Sequence, residues 1–489
     1  MSEVVSHPFA LARPTSDNAS FDWRASPSSD PRRTAFANAA EGSSSEVIPA
    51  EVLTGAAADE EIENLLDRTR RGKAVAEIHV PFCETRCEGC GCWQNDYREL
   101  ESSRYADAVV REMRLWSGEH AQSGTPIQAL RIGGGNPTAL EPVDILRILS
   151  NARRILPLAN DCEIEFDARV HHFTEEKMKA ALAGGVTRFL LPVRSFNTAV
   201  RRAAGRVEDA HAVVKTLERL LSYDEASVAI ELNYGLPGQS LEVWESDLRT
   251  ASSMNLDGLT LRAAGEPEFP AEAEKTFRAA SDELLASEHA LAFELLPGEG
   301  WEVRSALGWG RSERERSLYR SLAMGDADRL VFGSGARGRL FGREYLIEPE
   351  LDKWLGAVYS GRRAVREVTL PKPYWRAAAL LAQGIADGRF SITRTERAGG
   401  VMLGGILEPL LDNWRAAGLV SGRGDWIRLT EAGSFHQFRL AGAVRSYVEN
   451  MTSELVELPY VSSVRQFPTV PLMAESDWRS AEASLAAAS

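Results

Sequence analysis

The feature that most constrains the fold is an alternation, from about residue 75 onward, of short apolar runs with longer segments of helical periodicity. This alternation is typical of β-α units around a parallel sheet. The strands are predicted at Val75–Val80, Gln128–Ile132, Glu163–Asp167, Arg188–Leu191, Ser227–Asn233 and Gly258–Leu261. The helices are predicted at 142–155, 174–183, 208–222 and 240–253, and around Tyr105, Val109 and Met113, which recur every four residues. These strands are too few for a closed eight-stranded barrel and favour a partial barrel or an open sheet.

Composition divides the chain into four parts. Residues 1–50 hold ten serines and five prolines, and such a segment buries too little apolar surface to offset the entropy of ordering it. We therefore expect a disordered tail over 1–60, a partial barrel with an extension over 61–365, a second domain over 366–450 and a C-terminal tail over 451–489. The sequence pattern of the second domain predicts a helix, a hairpin and another helix, which is the order of a winged-helix-like unit.

The net charge and the hydropathy of the chain limit the classes of partner that it is expected to bind. The chain has 56 Lys and Arg against 70 Asp and Glu, so its net charge is −14, and no overall positive field gathers nucleic acid or anionic lipid. Its apolar runs are shorter than the roughly 18–20 residues of a membrane helix, and its first 30 residues lack a secretion signal. We expect a soluble cytoplasmic protein that binds neither nucleic acid nor a membrane.

Four of the five cysteines lie within ten positions, in the order Cys83, Cys87, Cys90 and Cys92. They directly follow the first predicted strand, and the carboxyl ends of parallel strands are where such folds gather function. Soft thiolate ligands select zinc or an iron–sulfur cluster. Structural zinc usually takes its ligands from two separated pairs, and this chain has no second pair. The spacing therefore favours a four-iron cluster with one open iron, and zinc or a coincidental clustering of the cysteines are the alternatives.

The C-x3-C-x2-C spacing after a strand resembles the signature of radical S-adenosylmethionine (SAM) enzymes. The stretch from Ile78 to Cys92 resembles, more narrowly, the HemN family, which is named for oxygen-independent coproporphyrinogen III oxidase. Further similar stretches follow in order, at Gly133–Thr138, Glu163–Asp167, Arg188 with Phe196-Asn197 and Gly205-Arg206, Tyr234–Gln239 and Phe332–Gly338. The likeness spans about residues 75–445.

The resemblance implies an α/β fold, a partial (β/α)6 radical SAM barrel with a helical, winged-helix-like C-terminal domain. It implies that Cys83, Cys87 and Cys90 ligate a [4Fe-4S] cluster whose fourth iron is chelated by SAM. In such enzymes one electron, from a donor such as flavodoxin or ferredoxin, cleaves SAM to a 5′-deoxyadenosyl radical that abstracts hydrogen from the substrate. Cys92 is then either a packed thiol or a catalytic residue.

The same resemblance assigns residues to SAM. Gly134 and Gly135 line its site, Glu165 neutralises its ammonium group and Arg206 meets its carboxylate. The other positions that match SAM contacts of the family are Arg194, Glu231 and Ala264. The pocket also departs from the family, with Glu77 in place of a tyrosine, Gly89 of an aromatic residue, Asn136 of a threonine, Arg194 of a glutamine, Glu231 of an aspartate and Asn233 of an isoleucine. These departures leave open whether one or two SAM molecules bind.

The departures also bear on the substrate. Polar replacements such as Glu77, Arg194 and Asn233 suit a smaller or more polar molecule than a tetrapyrrole. We therefore expect an enzyme that tailors a specialised metabolite by methyl transfer, cyclopropanation or sulfur insertion. The alternatives are coproporphyrinogen III oxidation in haem synthesis and a haem-binding chaperone. The pair His171-His172 is expected to be a solvated loop pair.

Overall fold

The computed structural model describes residues 23–36, 50–83, 95–96, 101–118, 124–264 and 280–450. The strands in these ranges are β1 Val52–Thr54, β2 Ala74–Val80, β3 Phe82–Cys83, β4 Asn95–Asp96, β5 Ile127–Gly134, β6 Leu158–Asp167, β7 Arg188–Arg194, β8 Ser227–Tyr234, β9 Gly258–Ala263, β10 Glu302–Val303, β11 Gly308–Gly310, β12 Asp328–Phe332, β13 Arg337–Leu340, β14 Arg343–Ile347, β15 Val365–Thr369, β16 Arg389–Ser391, β17 Val420–Ser421 and β18 Trp426–Leu429.

The α-helices in these ranges are α1 Pro31–Thr34, α2 Ala56–Leu66, α3 Glu101–Trp116, α4 Pro142–Ile155, α5 Glu175–Ala183, α6 Thr198–Ala203, α7 Ala210–Leu221, α8 Leu241–Ser253, α9 Asp282–Leu295, α10 Leu318–Met324, α11 Leu351–Tyr359, α12 Trp375–Ala386, α13 Ile392–Gly399, α14 Gly404–Ala416, α15 Glu431–Phe435 and α16 Gln437–Asn450. Short 3-10 helices span Pro137–Ala139 and Leu296–Glu299. Among these helices, none is long and apolar enough to cross a membrane.

One large sheet forms the body of the fold, in the order β1-β15-β14-β13-β12-β2-β5-β6-β7-β8-β9-β11-β10. The run from β12 to β9 is parallel, and the strands on either side of it pair antiparallel. Every predicted strand is present, and the α/β fold class is confirmed. The sequence missed β12, which extends the parallel run beyond β2.

The two faces of the parallel run differ sharply in polarity. Side chains alternate between the faces of a strand, and on β2 and β5 the residues Ala76, Ile78, Leu130 and Ile132 pack into the core beneath the helices. The opposite face is polar and almost inaccessible, and it carries Glu77, His79, Arg131, Glu163, Glu165, Arg188, Glu231, Asn233, Arg262 and Arg329. Charged side chains are rarely this buried unless they are paired, so the interior must hold a network of ion pairs.

The C-terminal part is helical, as the resemblance implies. Helix α14 is followed by the antiparallel pair β17–β18 and then by α15, and β16 adds a third strand to this small sheet. Its core includes Leu407, Leu411 and Trp414, which are buried. The order helix, hairpin, helix matches the winged-helix-like unit expected there.

The expectation of a disordered tail over 1–60 is wrong for 23–36 and 50–60. Ala25 and Phe36 are buried in the core of the C-terminal part, and the Asn413 side chain accepts a hydrogen bond from Ala25 N at 2.7 Å and donates one to Ala25 O at 3.0 Å. Strand β1 pairs with β15. The few apolar residues of this segment pack into a core that is formed by residues far away in the sequence. The composition of the segment alone does not predict such packing. The rest of 1–60, and the tail predicted over 451–489, lie outside the described residues.

Candidate functional site

The strand β3 places Cys83 at the carboxyl end of β2. Cys83 is buried, and the ring of its neighbour Phe82 packs edge to face against Tyr105 with centroids 5.1 Å apart. The Tyr105 hydroxyl donates to the carbonyl oxygen of His79. This contact anchors the start of the cysteine loop to helix α3. The other predicted cluster ligands, Cys87 and Cys90, and Cys92 lie outside the described residues.

The glycines at the end of β5 let the backbone there lie against β2 and β3. Gly135 N donates to Val80 O at 2.7 Å, and a Cβ atom on Gly135 would lie 2.6 Å from Phe82 O. Gly134 has a φ of +102°, and its Cβ would lie 2.6 Å from His79 Nδ1. Only glycine fits at both positions without moving a neighbour. The backbone of the glycine loop therefore lies directly against the strand ends that lead to Cys83.

Glu165 lies at the centre of the buried ion network. Its Oε1 is 3.3 Å from Arg131 Nε and its Oε2 is 2.5 Å from Arg188 Nη1. Arg188 Nη2 also lies 2.6 Å from Glu315 Oε1, and Arg131 Nη2 lies 2.7 Å from Asp167 Oδ2. Both oxygens of Glu165 thus face guanidinium groups. Each carboxylate oxygen has two acceptor positions, so an ammonium group would be a third partner of Glu165.

Glu77 occupies the position at which the resemblance expects a tyrosine. A tyrosine from another element, Tyr319, contacts it instead. The hydroxyl of Tyr319, on α10, donates to Glu77 Oε2, and His79 Nδ1 is 3.8 Å from Glu77 Oε1. Burial alone would raise the pKa of Glu77, but the His79 ring and the positive charges of Arg131 and Arg329 lower it to about 2. Glu77 is therefore an ionised member of the network.

Three of the pocket replacements contact one another at the end of β7 and β8. Arg194 Nη1 donates to Glu231 Oε1 and, at 2.8 Å, to Asn233 Oδ1. Glu231 Oε2 lies 3.8 Å from Arg262 Nη1. On the neighbouring strand end, Ala264 N donates to the carbonyl oxygen of Tyr234 at 2.7 Å. The predicted positions Arg194, Glu231 and Ala264 thus lie on adjacent strand ends.

Arg206 lies apart from those three, in a cleft at the carboxyl ends of β5, β6 and β7. Asn136, Arg169, His171 and Glu208 also line this cleft. His171 is not a solvated loop residue, as the sequence suggested, because its Nδ1 contacts the Glu208 carboxylate and its side chain is only 22% exposed. The cleft therefore carries Arg169 and Arg206 beside the contact between His171 and Glu208.

Sequence reasoning missed the residues that hold the predicted ones in place, including Arg131, Glu315 and Tyr319. One signal was available, because Glu163, Glu165 and Asp167 alternate with apolar residues along β6. Period-two alternation of acids on a central parallel strand indicates a charged interior face. Their distant partners leave no comparable pattern in the sequence.

Glu112 on α3 was also missed, and it fixes the loop after β12. Its carboxylate accepts hydrogen bonds from Gly333 N at 2.6 Å and from Trp354 Nε1 at 3.0 Å. Gly333 has a φ of +106°, and its Cβ would lie 2.4 Å from His79 O. Burial raises the pKa of Glu112 to about 7, although both hydrogen bonds act to lower it.

Glu112 gives a prediction about stability and pH. Its pKa in the folded protein is above the ordinary value of 4.5, so its contribution to stability is present below pH 4.5 and is lost as pH rises through 7. Between pH 5.5 and 8, the free energy of unfolding of the wild type should fall by roughly 2 kcal/mol relative to that of Glu112→Gln. Urea unfolding at both pH values measures this difference, and parallel pH profiles for the two proteins would contradict the assignment.

Comparison with known proteins identifies relatives of this chain. A profile described as the Radical SAM superfamily matches residues 78–251. Anaerobilin synthase of Escherichia coli O157:H7 is 31% identical over 392 residues, which cover 78% of this chain and 86% of that protein. The heme chaperone HemW of Bacillus subtilis strain 168 is 29% identical over 184 residues, 37% of this chain and 48% of that protein. Oxygen-independent coproporphyrinogen III oxidase of Escherichia coli K12 is 28% identical over 189 residues, 38% of this chain and 40% of that protein.

The solved structure of coproporphyrinogen III oxidase (HemN) from Escherichia coli superposes with a TM-score of 0.67 at 20% identity and covers 79% of this chain and 93% of that one. This likeness concerns the fold. The long match to anaerobilin synthase and the superfamily profile concern the family, whose enzymes use a [4Fe-4S] cluster and SAM. The chain therefore belongs to the HemN family of radical SAM enzymes.

Proposed function

We propose that this radical SAM enzyme acts on a tetrapyrrole. The observation that carries the proposal is the 31% identity to anaerobilin synthase over 392 residues. That match covers 78% of this chain, which is more than residues 1–365 can supply, so it extends into the second domain. The names of the other relatives, a heme chaperone and coproporphyrinogen oxidases, also refer to tetrapyrroles.

The polar replacements that favoured a smaller metabolite have another explanation. Arg194 bonds to Glu231 and Asn233, and Glu77 accepts from Tyr319. The side chains of Arg194, Glu231 and Glu77 thus have partners inside the wall and do not require a polar substrate to satisfy them. The tailoring of a specialised metabolite therefore has no specific contact in its favour, and the tetrapyrrole is the better-supported substrate.

The cofactors fit the residues beside β2. Cys83, Cys87 and Cys90 hold the cluster, since soft thiolates on one loop suit an iron–sulfur centre. Cys83 is buried, Tyr105 holds the carbonyl of His79 at the end of β2, and Gly135 leaves no side chain against Phe82. When bound, the cluster and SAM supply a 5′-deoxyadenosyl radical, and a flavodoxin or ferredoxin supplies the electron.

The remaining predicted residues take up parts of SAM. Gly134 and Gly135 allow backbone atoms to approach it closely, and Arg206 pairs with its carboxylate. Glu165 accepts its ammonium group as a further partner. The strand ends that carry Arg194, Glu231 and Ala264 face the remaining part of the SAM molecule. Cys92 stays a candidate catalytic residue.

The cluster assignment is tested with two matched cysteine variants. Cys162 lies on β6, outside the C-x3-C-x2-C run, and burial and the nearby charge of Glu163 raise its pKa to about 12, which makes Cys162→Ala the matched control. After anaerobic reconstitution, the wild type and Cys162→Ala should hold about four irons per chain and form 5′-deoxyadenosine from SAM and dithionite. Cys83→Ala should lose the absorbance of the cluster and fall to background in 5′-deoxyadenosine. Equal iron content and activity in both variants would refute the assignment.

The substrate class is tested by coupled turnover. Reconstituted enzyme, SAM and reductant are incubated separately with coproporphyrinogen III and with haem, and each tetrapyrrole is followed by mass spectrometry. We expect one of the two to be consumed in proportion to 5′-deoxyadenosine, and neither to be consumed by Cys83→Ala. Loss of carbon dioxide from the porphyrinogen would indicate oxidative decarboxylation, whereas opening of the haem ring would indicate bilin formation. The proposal fails if the enzyme cleaves SAM yet neither binds nor consumes a tetrapyrrole.

A further inference from the structure

Arg194 has a backbone conformation that requires support from its surroundings. Its φ is +75°, a region that non-glycine residues seldom adopt, and the pairing of β7 with β8 shifts register between Pro192 and Arg194. Such strain persists only where neighbouring groups hold the backbone in place. The turn carries the guanidinium that contacts Glu231 and Asn233, so whatever holds the turn also holds these contacts.

A buried carboxylate on α8 holds the chain directly after Arg194. Asp247 is 2% exposed. Its Oδ2 accepts a hydrogen bond from Ser195 Oγ at 2.7 Å, and its Oδ1 accepts one from Phe196 N at 2.7 Å. Both donors belong to the loop after β7. Asp247 therefore fixes the two residues that follow the strained turn.

The same carboxylate is connected to the loop after β8 through Gln239. The Nε2 atom of Gln239 donates to Asp247 Oδ2 at 3.3 Å and to Asn233 O at 3.1 Å. Its Oε1 accepts from Leu236 N at 3.0 Å. Because Arg194 donates to the side chain of Asn233, these contacts close a ring that runs from Asp247 through both loops.

This ring requires an acceptor at both oxygens of Asp247. Burial raises the pKa of Asp247 to about 6, although its hydrogen bonds from Ser195, Phe196 and Gln239 and the charge of Arg201 act to lower it. The carboxylate is therefore ionised at about pH 7.5. An asparagine at this position would turn an NH2 group toward at least one of the donors, and that loop would lose its hydrogen bond to α8.

We propose that Asp247 is a positioning residue for SAM, because it joins the loop after β7 to the loop after β8 and so keeps Arg194 against Glu231. This inference rests on the proposed function, in which the strand ends that carry Arg194 and Glu231 face SAM. Burying a carboxylate costs free energy unless it is hydrogen-bonded, and each described hydrogen bond of the Asp247 side chain goes to one of these two loops. Asp247 acts through the loops and needs no contact with SAM itself.

The test compares Asp247→Asn with Asp257→Asn in the reconstituted enzyme. Asp257 is the matched control, because it also accepts from a serine hydroxyl and a backbone N–H, those of Ser312 and Val228, but it lies just before β9, at the opposite end of the strands. In the formation of 5′-deoxyadenosine from SAM and dithionite, Asp247→Asn should raise the KM for SAM about tenfold and change kcat by less than about twofold. Asp257→Asn should leave both constants within about twofold of the wild type.

Amide hydrogen exchange, measured without SAM, separates this role from a general loss of stability. In Asp247→Asn, the peptides that contain Phe196 and Leu236 should exchange about tenfold faster than in the wild type. Asp257→Asn should leave these two peptides unchanged and accelerate exchange in the peptide that contains Val228. If Asp247→Asn does not retain its cluster, Ser195→Ala decides the question, since it removes one hydrogen bond of the ring and should raise the KM for SAM about threefold.

The possible outcomes separate the inference from the proposed function. If the variant that retains its cluster has the KM of the wild type, or if Asp257→Asn raises the KM for SAM equally, the inference is overturned and the proposed function stands. If the KM rises as expected but no tetrapyrrole is consumed, the inference stands and the proposed substrate class fails. If the wild type itself forms no 5′-deoxyadenosine, both are overturned.

Discussion

The ion pairs inside the barrel are the constraint on which the rest of the structure depends. Arg188 bridges Glu165 and Glu315, and Arg131 bridges Glu165 and Asp167. These groups come from three neighbouring strands and from the segment before α10. Because side chains alternate along a strand, a slip of one residue would move these charges to the face that packs against the helices. The pairing therefore fixes the register of the strands whose ends carry the site.

Short contacts connect this network to the residues of the site and hold them in position. Glu77 links the network to Tyr319 and lies beside His79, and the carbonyl of His79 accepts from Tyr105 just before the cysteine loop. On the other side, Arg194 extends polar contacts along β8 as far as Asn233. A buried charged wall thus lies beneath the strand ends that carry the site, and residues on loops held by such a scaffold are a common basis for function at the ends of parallel strands.

The sequence predicts the strands and helices that show a regular pattern of apolar residues over a short stretch of chain. Apolar runs and helical periodicity predicted β2, the strands from β5 to β9 and the longer helices between them, whereas the short elements β3, β4 and α6 were not predicted. The cysteine spacing pointed to the family. Contacts between distant positions were not predictable, since Tyr319 meets Glu77 across 242 residues and Glu315 meets Arg188 across 127. The segment 23–36 was misjudged for the same reason, because its few apolar residues are buried only by the C-terminal part.

The most direct measurement is the stability of Arg188→Met at pH 7.5. Methionine fills similar space but leaves Glu165 and Glu315 buried without their shared partner. We expect the free energy of unfolding to fall by about 3–5 kcal/mol, and the double variant Arg188→Met/Glu315→Gln to regain part of that loss. A single variant as stable as the wild type would show that the buried network does not hold the barrel in register.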